Sequence, residues 1–497
     1  MKGDFSRDTF DKAKHFSRVL MQQGRVQLDS DWNEQGAILL HYLRTLAADL
    51  IGPFAGPAGD HQGFNIGNAD TKFKDFPIGR GRYYVDGILC ENDALGVSYK
   101  NQKDFPNPPE EFEADKSYLV YLDVWERHIT VVEDDFIREK ALGGPDTASR
   151  AQLIWQVKLW DTANNGTPHP PYNVGQIHKN WKEWIEQDQW QPPYLGCLKA
   201  RVKRPGVSND PCLTAPDAKY RGTENHLYRV EIHQGGYNKG ATFKWSRDNG
   251  AIVTGCKLEG VELTVNNARG FAPNQWVELT NHEQELRGEH GTLVKLLKVE
   301  SDVLTLAVTP SSTVPIPQNE TWPTKARRWD QSEKGELELN EGAVQVIENG
   351  DDDWINLEDG IQIQFQPPPV DLNRYRTGDY WLIPARVATG NIEWPVNVND
   401  KGELEHDKDG NTIPIAQPPH GIRHHYAPLA ILTTKGEKWD PDDCRCEFTA
   451  LNKCAIPSHG EDGMGGASEC PKEDGSGPPK ASPIKKVVQP SKKSQRK

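Results

Sequence analysis

Short strand-like segments separated by turn residues dominate the sequence from residue 117 onwards. Residues 117–132, SYLVYLDVWERHITVV, are apolar on both faces, whereas residues 227–233, LYRVEIH, alternate between apolar and polar side chains. A period of two residues, bounded by Gly, Asn and Asp, is typical of β-strands. The sequence therefore predicts a mainly β protein whose body is built from several sheets in a sandwich-like arrangement.

The densest run of these segments, residues 241–310, consists of short strand patterns split by Gly, Asn and Asp. Such spacing is typical of a small barrel. We therefore expect a small β-barrel inserted between two parts of the β-rich body, residues 56–240 and 311–455. Within the second part, Asp359-Gly360 is a hairpin-turn signal. Residues 52–67, rich in Gly and Pro, indicate a linker or a loop.

Residues 1–55 contain the strongest helix pattern of the chain, over residues 31–51. One stripe of this helix is formed by Leu39, Leu43, Leu46 and Leu50. Asp31 followed by Glu34 fits a capping box at its start. The leucine spacing is that of a coiled coil, but two heptads are too short for a free-standing coil. The helix must therefore pack on its own domain or on copies of itself.

The polar run before this helix, QQGRVQLDSDWNEQ (residues 22–35), predicts a turn, an extended arm and a helix start. Gly24 allows the turn, and Trp32 in the first helical turn is placed to anchor the arm. We expect residues 1–55 to act as a docking unit. Its assembly candidates are Gly24, Arg25, Trp32, Leu39, Leu43, Leu46 and Leu50.

A cluster of tryptophans in a polar region, HKNWKEWIEQDQWQPP, gives a second candidate surface. Trp181, Trp184 and Trp190 could form an exposed contact for a glycan or a protein. A short helix could instead bury a stripe that includes Trp181 and Trp184.

The residues with reactive side chains form no convincing catalytic or metal-binding set. Cys444 and Cys446, with Cys454 and Cys470 downstream, lack the spacing of common zinc sites, which favours packing thiols. Two further pairs of polar residues lie close in sequence: Glu231 with His233, and His424 with His425. The first pair shares a strand face but lacks a nucleophile, and the second points to opposite faces. We predict no catalytic residue, no cofactor and no metal.

The charge balance and the lack of long apolar runs restrict the partners. The net charge is −14, which disfavours nucleic acid as the main partner. The first residues lack the apolar core of a signal peptide, and no apolar run reaches the length of a membrane-spanning helix. Residues 456–497, rich in Gly, Ser, Pro and Lys, predict a disordered basic tail. We expect synthesis in the cytoplasm and no membrane insertion.

Several strings of the sequence form a recognisable set. They are MKGDFSRDTF with QQGRVQLDSDWNEQ, VYLDVWERHIT, IREKALGGPDTASRAQLIWQVKL, YRVEIHQGG, ATFKWSRDNG, RTGDYWLIPARVATGNIEWP, GIRHHYAPLAIL and DCRCEF. Spread over roughly residues 1–450, they resemble a bacterial family of unknown function whose members are often encoded beside phage-tail-like contractile injection systems. The resemblance implies a structural component of such a particle, at its baseplate or a fibre attachment, and no catalytic residues.

Three functions remain open at this stage. The first is a structural protein, oligomeric and bound to other particle subunits, which is made in the cytoplasm and acts in a particle that works outside the cell. The second is a carbohydrate-binding or adhesin-like protein that uses the tryptophan cluster. The third is a hydrolase with scattered carboxylates. It has the least support because the sequence shows no set of carboxylates spaced as a catalytic site requires.

Overall fold

The computed structural model describes residues 1–59, 61–68, 75–109, 117–161, 173–187, 196–203, 220–236, 240–310, 323–332, 338–348, 354–366, 375–407, 410–435 and 438–449. They belong to one compact unit, Met1–Thr449. The predicted disordered tail lies outside the described residues.

Two long strands form the centre of the first large sheet. They are β4 (Tyr118–Ile129) and β5 (Arg150–Asp161), which pair over their whole length. The sheet has the order β22-β21-β4-β5, with β21 (His425–Lys435) and β22 (Lys438–Asp443). The prediction of a buried strand over residues 117–132 is confirmed, because nine of the twelve residues of β4 are buried. Because β4 has buried residues on both of its faces, both sides of the sheet must be covered.

A smaller sheet pairs an early strand of the chain with the last described strand. It consists of β1 (Phe54–Pro57), β2 (Gly81–Val85), β3 (Ile88–Asn92) and β23 (Glu447–Phe448), in the order β23-β1-β2-β3. The predicted linker over residues 52–67 is therefore wrong in part, since β1 lies within it and pairs with β2 and β23. The buried side chains of this smaller sheet share one hydrophobic core with those of β4 and β21.

Two further sheets pack face to face as a sandwich. The six-stranded sheet has the order β15-β16-β8-β7-β19-β20 and contains β7 (His226–Gln234), β8 (Thr242–Ser246), β15 (Leu339–Asn340), β16 (Ala343–Gln345), β19 (Tyr380–Arg386) and β20 (Asn391–Ile392). The three-stranded sheet contains β6 (Cys197–Val202), β17 (Ile355–Asn356) and β18 (Ile361–Gln366). Phe243 and Phe365 meet between the sheets, with ring centroids 5.1 Å apart.

The predicted hairpin turn at Asp359-Gly360 is confirmed between β17 and β18. Both residues have positive φ, +47° and +86°, as the two central residues of a type I′ turn require.

The predicted small barrel is present, but its boundaries differ from the expected 241–310. Six strands close it in the order β10-β13-β12-β11-β14-β9. They are β9 (Val253–Glu259), β10 (Glu262–Val265), β11 (Trp276–Thr280), β12 (Thr292–Glu300), β13 (Val303–Leu306) and β14 (Lys325–Trp329). The barrel therefore excludes β8, which pairs with β7, and needs β14 to close, because only pairing to both β9 and β11 removes the two open edges.

In the described residues three α-helices accompany the sheets: α1 (Asp29–Ile51), α2 (Val174–Gln187) and α3 (His282–Arg287). Short 3₁₀ turns lie at Lys12–Lys14, Tyr99–Asn101, Asp135–Ile137 and Lys140–Leu142. The expected N-terminal helix is thus confirmed, and none of the helices in the described ranges is long and apolar enough to cross a membrane.

Buried ion pairs fix the barrel to the body. Glu285 on α3 contacts Arg127 of β4 at 2.6 Å and Lys325 of β14 at 2.5 Å. Lys325 also contacts Glu133, one of the acidic loop residues after β4, at 2.7 Å. Since removing one partner of such a group leaves an unpaired buried charge, these contacts hold barrel and body in one arrangement.

Candidate assembly surface

An apolar stripe on α1 lies on the outside of the protein. Positions 32, 36, 39, 43, 46 and 50 follow one another at intervals of four and three residues, so they lie on one face of the helix. We call this face the seam; its side chains are Trp32, Gly36, Leu39, Leu43, Leu46 and Leu50. Trp32 is 81% exposed, and each of the four leucines is more than half exposed. The described part of the chain therefore leaves the seam uncovered.

The opposite face of α1 attaches the helix to the body. Ile38 and Ser30 are buried there. Arg44 Nη2 lies 2.5 Å from a Glu126 carboxylate oxygen on β4. Gly87, in the β2–β3 turn with φ +77°, approaches the backbone of α1 so closely that a Cβ would overlap the Arg44 carbonyl. These contacts direct the seam away from the body.

Residues 1–28, which we call the strap, run along α1 and hold it. Thr9 Oγ1 donates to a Glu34 carboxylate oxygen at 2.5 Å. Further along, the Val19 amide donates to the Gln35 side-chain oxygen at 2.8 Å. Each contact ties the strap to a different side of the first turns of the helix.

The predicted capping box of Asp31 and Glu34 is wrong. The helix begins at Asp29, its N-cap is Leu28, and no side chain caps it. Glu34 bonds Thr9 of the strap, and the Asp29 carboxylate accepts the Ser6 amide at 2.8 Å. The strap therefore takes up the Glu34 carboxylate that the predicted capping box would have used.

Gly24 and Arg25 lie in the exposed part of the strap. Gly24 has φ +71° with open space around its Cα, and the Arg25 amide donates to the Gln22 carbonyl at 3.4 Å, which closes a turn. The predicted turn at Gly24 is thus confirmed, and the arm after it includes Val26, which is exposed.

The first residues of the strap end in a largely buried group of charges. Lys2 Nζ contacts a Glu231 carboxylate oxygen at 2.9 Å, and Arg229 Nε contacts the other oxygen at 2.6 Å. Lys244 contacts Glu231 at 3.4 Å and Glu278 of the barrel at 2.5 Å. We call these five residues the charged cluster. It joins the strap, the six-stranded sheet and the barrel.

Burial and opposite charge together set the pKa values in the charged cluster. Burial alone would raise the pKa of Glu278, but the ammonium groups of Lys244 and Lys2 outweigh it and lower that pKa to about 2. For Lys2, burial is the larger effect and lowers its pKa to about 8 despite the nearby Glu231 carboxylate. The two carboxylates are ionised at neutral pH and saturated with cations, so neither is available as an acid or base.

The suggested carboxylate–imidazole pair is thereby explained as part of the packing. Glu231 and His233 both approach Lys244, at 3.4 Å and 3.5 Å respectively. Burial lowers the pKa of His233 to about 3, so its imidazole is neutral at neutral pH. The adjacent His424 and His425, at the start of β21, diverge: one bonds Asp123 and the other Asp86, each at 2.7 Å.

The cysteines of the Cys444-Arg445-Cys446 segment meet a histidine. His178 Nε2 lies 2.7 Å from the Cys444 carbonyl oxygen and 3.8 Å from Cys446 Sγ. A nitrogen that donates to a carbonyl cannot take the proton of the thiol, and burial raises the pKa of Cys446. Within the described residues, no three His, Cys, Asp or Glu side chains are grouped so that they could hold a metal ion. Cys454 and Cys470 lie outside those residues.

The tryptophan candidates for glycan binding need a correction. Trp181 on α2 is 5% exposed, packs edge-on against Phe54 and donates Nε1 to the Tyr426 carbonyl. A buried ring offers no face to a sugar, so Trp181 is removed from that surface. The side chain of Trp184 and all of Trp190 lie outside the described residues.

A polar cavity of about 330 Å³ lies beneath the strap. Its polar side chains pair locally: His226 Nδ1 lies 3.2 Å from Asp248, and Arg386 Nη2 donates to the Ser6 carbonyl at 2.9 Å. The cavity is bounded by the strap residues Asp4 and Phe5. The strap therefore forms one wall of this cavity.

Comparison with known proteins identifies a family. The model of a family of unknown function, DUF6519, matches residues 1–168 and 193–496. The chain belongs to this family. No curated protein and no solved structure matches it. The seam and the charged cluster lie within the matched residues, whereas Trp181, Trp184 and Trp190 lie in the gap between the two matched ranges.

The charged cluster is the feature that sequence reasoning missed. Lys2 and Glu231 are separated by more than two hundred residues, and nothing in the local pattern around Lys2 marks it for burial. The one available signal was the alternation in residues 227–233, which places Arg229, Glu231 and His233 on one face of a strand.

Proposed function

We propose that this chain is a structural component of a phage-tail-like contractile injection particle, at its baseplate or a fibre attachment, and that it acts through protein–protein interfaces. The observation that carries the proposal is the exposed seam of α1. The setting in a particle is supported by the sequence resemblance described above.

Leaving the apolar side chains of the seam in water costs free energy. Burying a Leu side chain is worth about 1.5–3 kcal/mol, and contiguous apolar patches of several such residues mark interaction sites. The seam has Trp32 and four leucines in line, each more than half exposed. Because α1 is held on its other face by the strap, Arg44 and Gly87, binding there requires little ordering of the chain, which favours a permanent interface.

The proposal is tested in cells of the bacterium that encodes the chain and makes such particles. Density-gradient fractions are probed by mass analysis and negative-stain imaging for wild type and for Leu43→Glu. The matched control is Thr45→Glu, which adds the same charge at an exposed position off the seam. Wild type and the control are expected to sediment with particles, and Leu43→Glu to be depleted from them. A wild-type chain found only as a free monomer overturns the proposal.

Point substitutions are needed because the strap cannot be removed cleanly. Deleting residues 1–55 would take Lys2 out of the charged cluster and leave Glu231 with fewer cations. A truncated chain would then lose stability as well as the seam, and its failure to assemble would not identify the docking surface.

A further inference from the structure

We infer that the seam of α1 packs against the same seam of a second copy of this chain, so that paired helices form a two-copy unit. This inference rests on the proposed function, in that it names the partner of the surface proposed there.

The spacing of the seam defines the kind of surface it accepts. The exposed positions follow a heptad in which 36, 43 and 50 are a positions and 32, 39 and 46 are d positions. Side chains at this spacing insert between those of a second helix crossing at a shallow angle. The partner is therefore a helix with an apolar face of the same period, and the chain itself provides one.

The residues beside the seam favour an identical partner. In coiled coils, charged side chains at e and g positions select the partner. Here those positions are occupied by Asn33, Gln35, Leu40, Tyr42, Ala47 and Asp49. Asp49 is the one charge among these six positions, so the positions beside the seam add little repulsion between two copies and specify no partner of opposite charge. Leu40 and Tyr42 are also exposed and widen the apolar face.

The helix face alone offers less area than a stable dimer interface, and the strap adds to it. A helix of 23 residues is about 35 Å long and roughly 10 Å wide, so its face offers on the order of 350 Å². Stable interfaces bury about 800 Å² per partner. The strap extends the apolar surface, because Val19 bonds Gln35 beside the seam and the following Leu20 and Met21 are exposed.

The test is the mass of the purified full-length chain by sedimentation velocity over a range of concentrations and salt. We expect a reversible dimer. Because the two copies carry a net charge of −14 each, added salt should strengthen an apolar seam by screening the repulsion between them. Leu43→Glu is expected to give a monomer, and Thr45→Glu a dimer like that of wild type.

A milder variant guards against loss of folding. Ala has a high helix propensity, so Leu43→Ala should leave α1 folded. It truncates one seam side chain in each copy, so the Kd of the dimer should rise at least about tenfold. Concentration-dependent protection from hydrogen exchange over residues 29–51 should accompany dimer formation.

A chain that stays monomeric at high concentration in all salts overturns the inference, as does a dimer that Leu43→Glu leaves unchanged. The inference and the proposed function fail separately. A monomeric purified chain that still sediments with particles through Leu43 would overturn only the self-pairing.

Discussion

Replacing Glu278 by Gln should reveal how strongly the charged cluster holds the barrel to the body. Glu278 is 3% exposed and accepts three hydrogen bonds. Its donors are Lys244 Nζ at 2.5 Å, Trp329 Nε1 at 2.8 Å and the Gly291 amide at 3.0 Å. Gln has one acceptor oxygen in place of two, so its amide group must face one of these donors.

The charge balance of the cluster sets the size of the expected loss of stability. In the wild type, three cationic side chains of the cluster share two carboxylates; after the substitution Glu231 alone faces them. Breaking a buried pair by removing one partner costs about 3–5 kcal/mol. That is a large part of the roughly 5–15 kcal/mol that keeps a typical domain folded. Glu278→Gln should therefore lower the urea midpoint markedly.

Urea unfolding should be combined with hydrogen exchange of β11, where the loss is expected to be local as well as global. The matched control is Glu259→Gln, because Glu259 pairs with Lys257 on the barrel surface with both side chains largely exposed. The control should leave the midpoint unchanged. In a double variant, Lys244→Met should recover part of the loss, since it removes the unpaired ammonium. A Glu278→Gln protein within about 1 kcal/mol of wild type, a loss typical of an ordinary substitution, would refute this reasoning.

Three further outcomes follow from the structure. The pKa of Glu278 lies at about 2 against an ordinary 4.5, so its contribution, about 3 kcal/mol, is present above pH 4.5 and lost as the pH falls towards 2; in urea titrations the gap between wild type and Glu278→Gln should close over that range. Trp181→Ala should cost about 3–5 kcal/mol because it empties a buried site, while Trp32→Ala should cost less than about 0.5 kcal/mol in dilute protein; equal losses would contradict the burial difference. Gly87→Ala should loosen α1, seen as faster amide exchange over residues 44–51. Gly96 has a similar φ of +73° but open space around it, so Gly96→Ala should cost only the backbone strain of a non-glycine residue at positive φ.

Local patterns predicted the elements well where a single period or turn decides the structure. The strand over residues 117–132 and the hairpin at Asp359-Gly360 needed only alternation and a pair of residues that tolerate positive φ. The helix of α1 was also recognisable from its leucine spacing. The partners of the strands were harder to predict. β8 and β14 have ordinary strand patterns, but β8 also pairs with β16 and β14 pairs with β9, and both of these partners lie far away in sequence.

The candidate site also has features that the sequence determines and features that only the tertiary structure decides. The sequence alone determined the apolar stripe of α1, because a period of three and four residues is a property of neighbouring positions. Only the tertiary structure decided that Ile38 is covered while Leu43 is exposed, and that Trp181 is buried. The physical reason is that burial depends on what packs against a side chain. The sequence pattern of an apolar stripe is the same whether the stripe is covered by its own chain or by a partner.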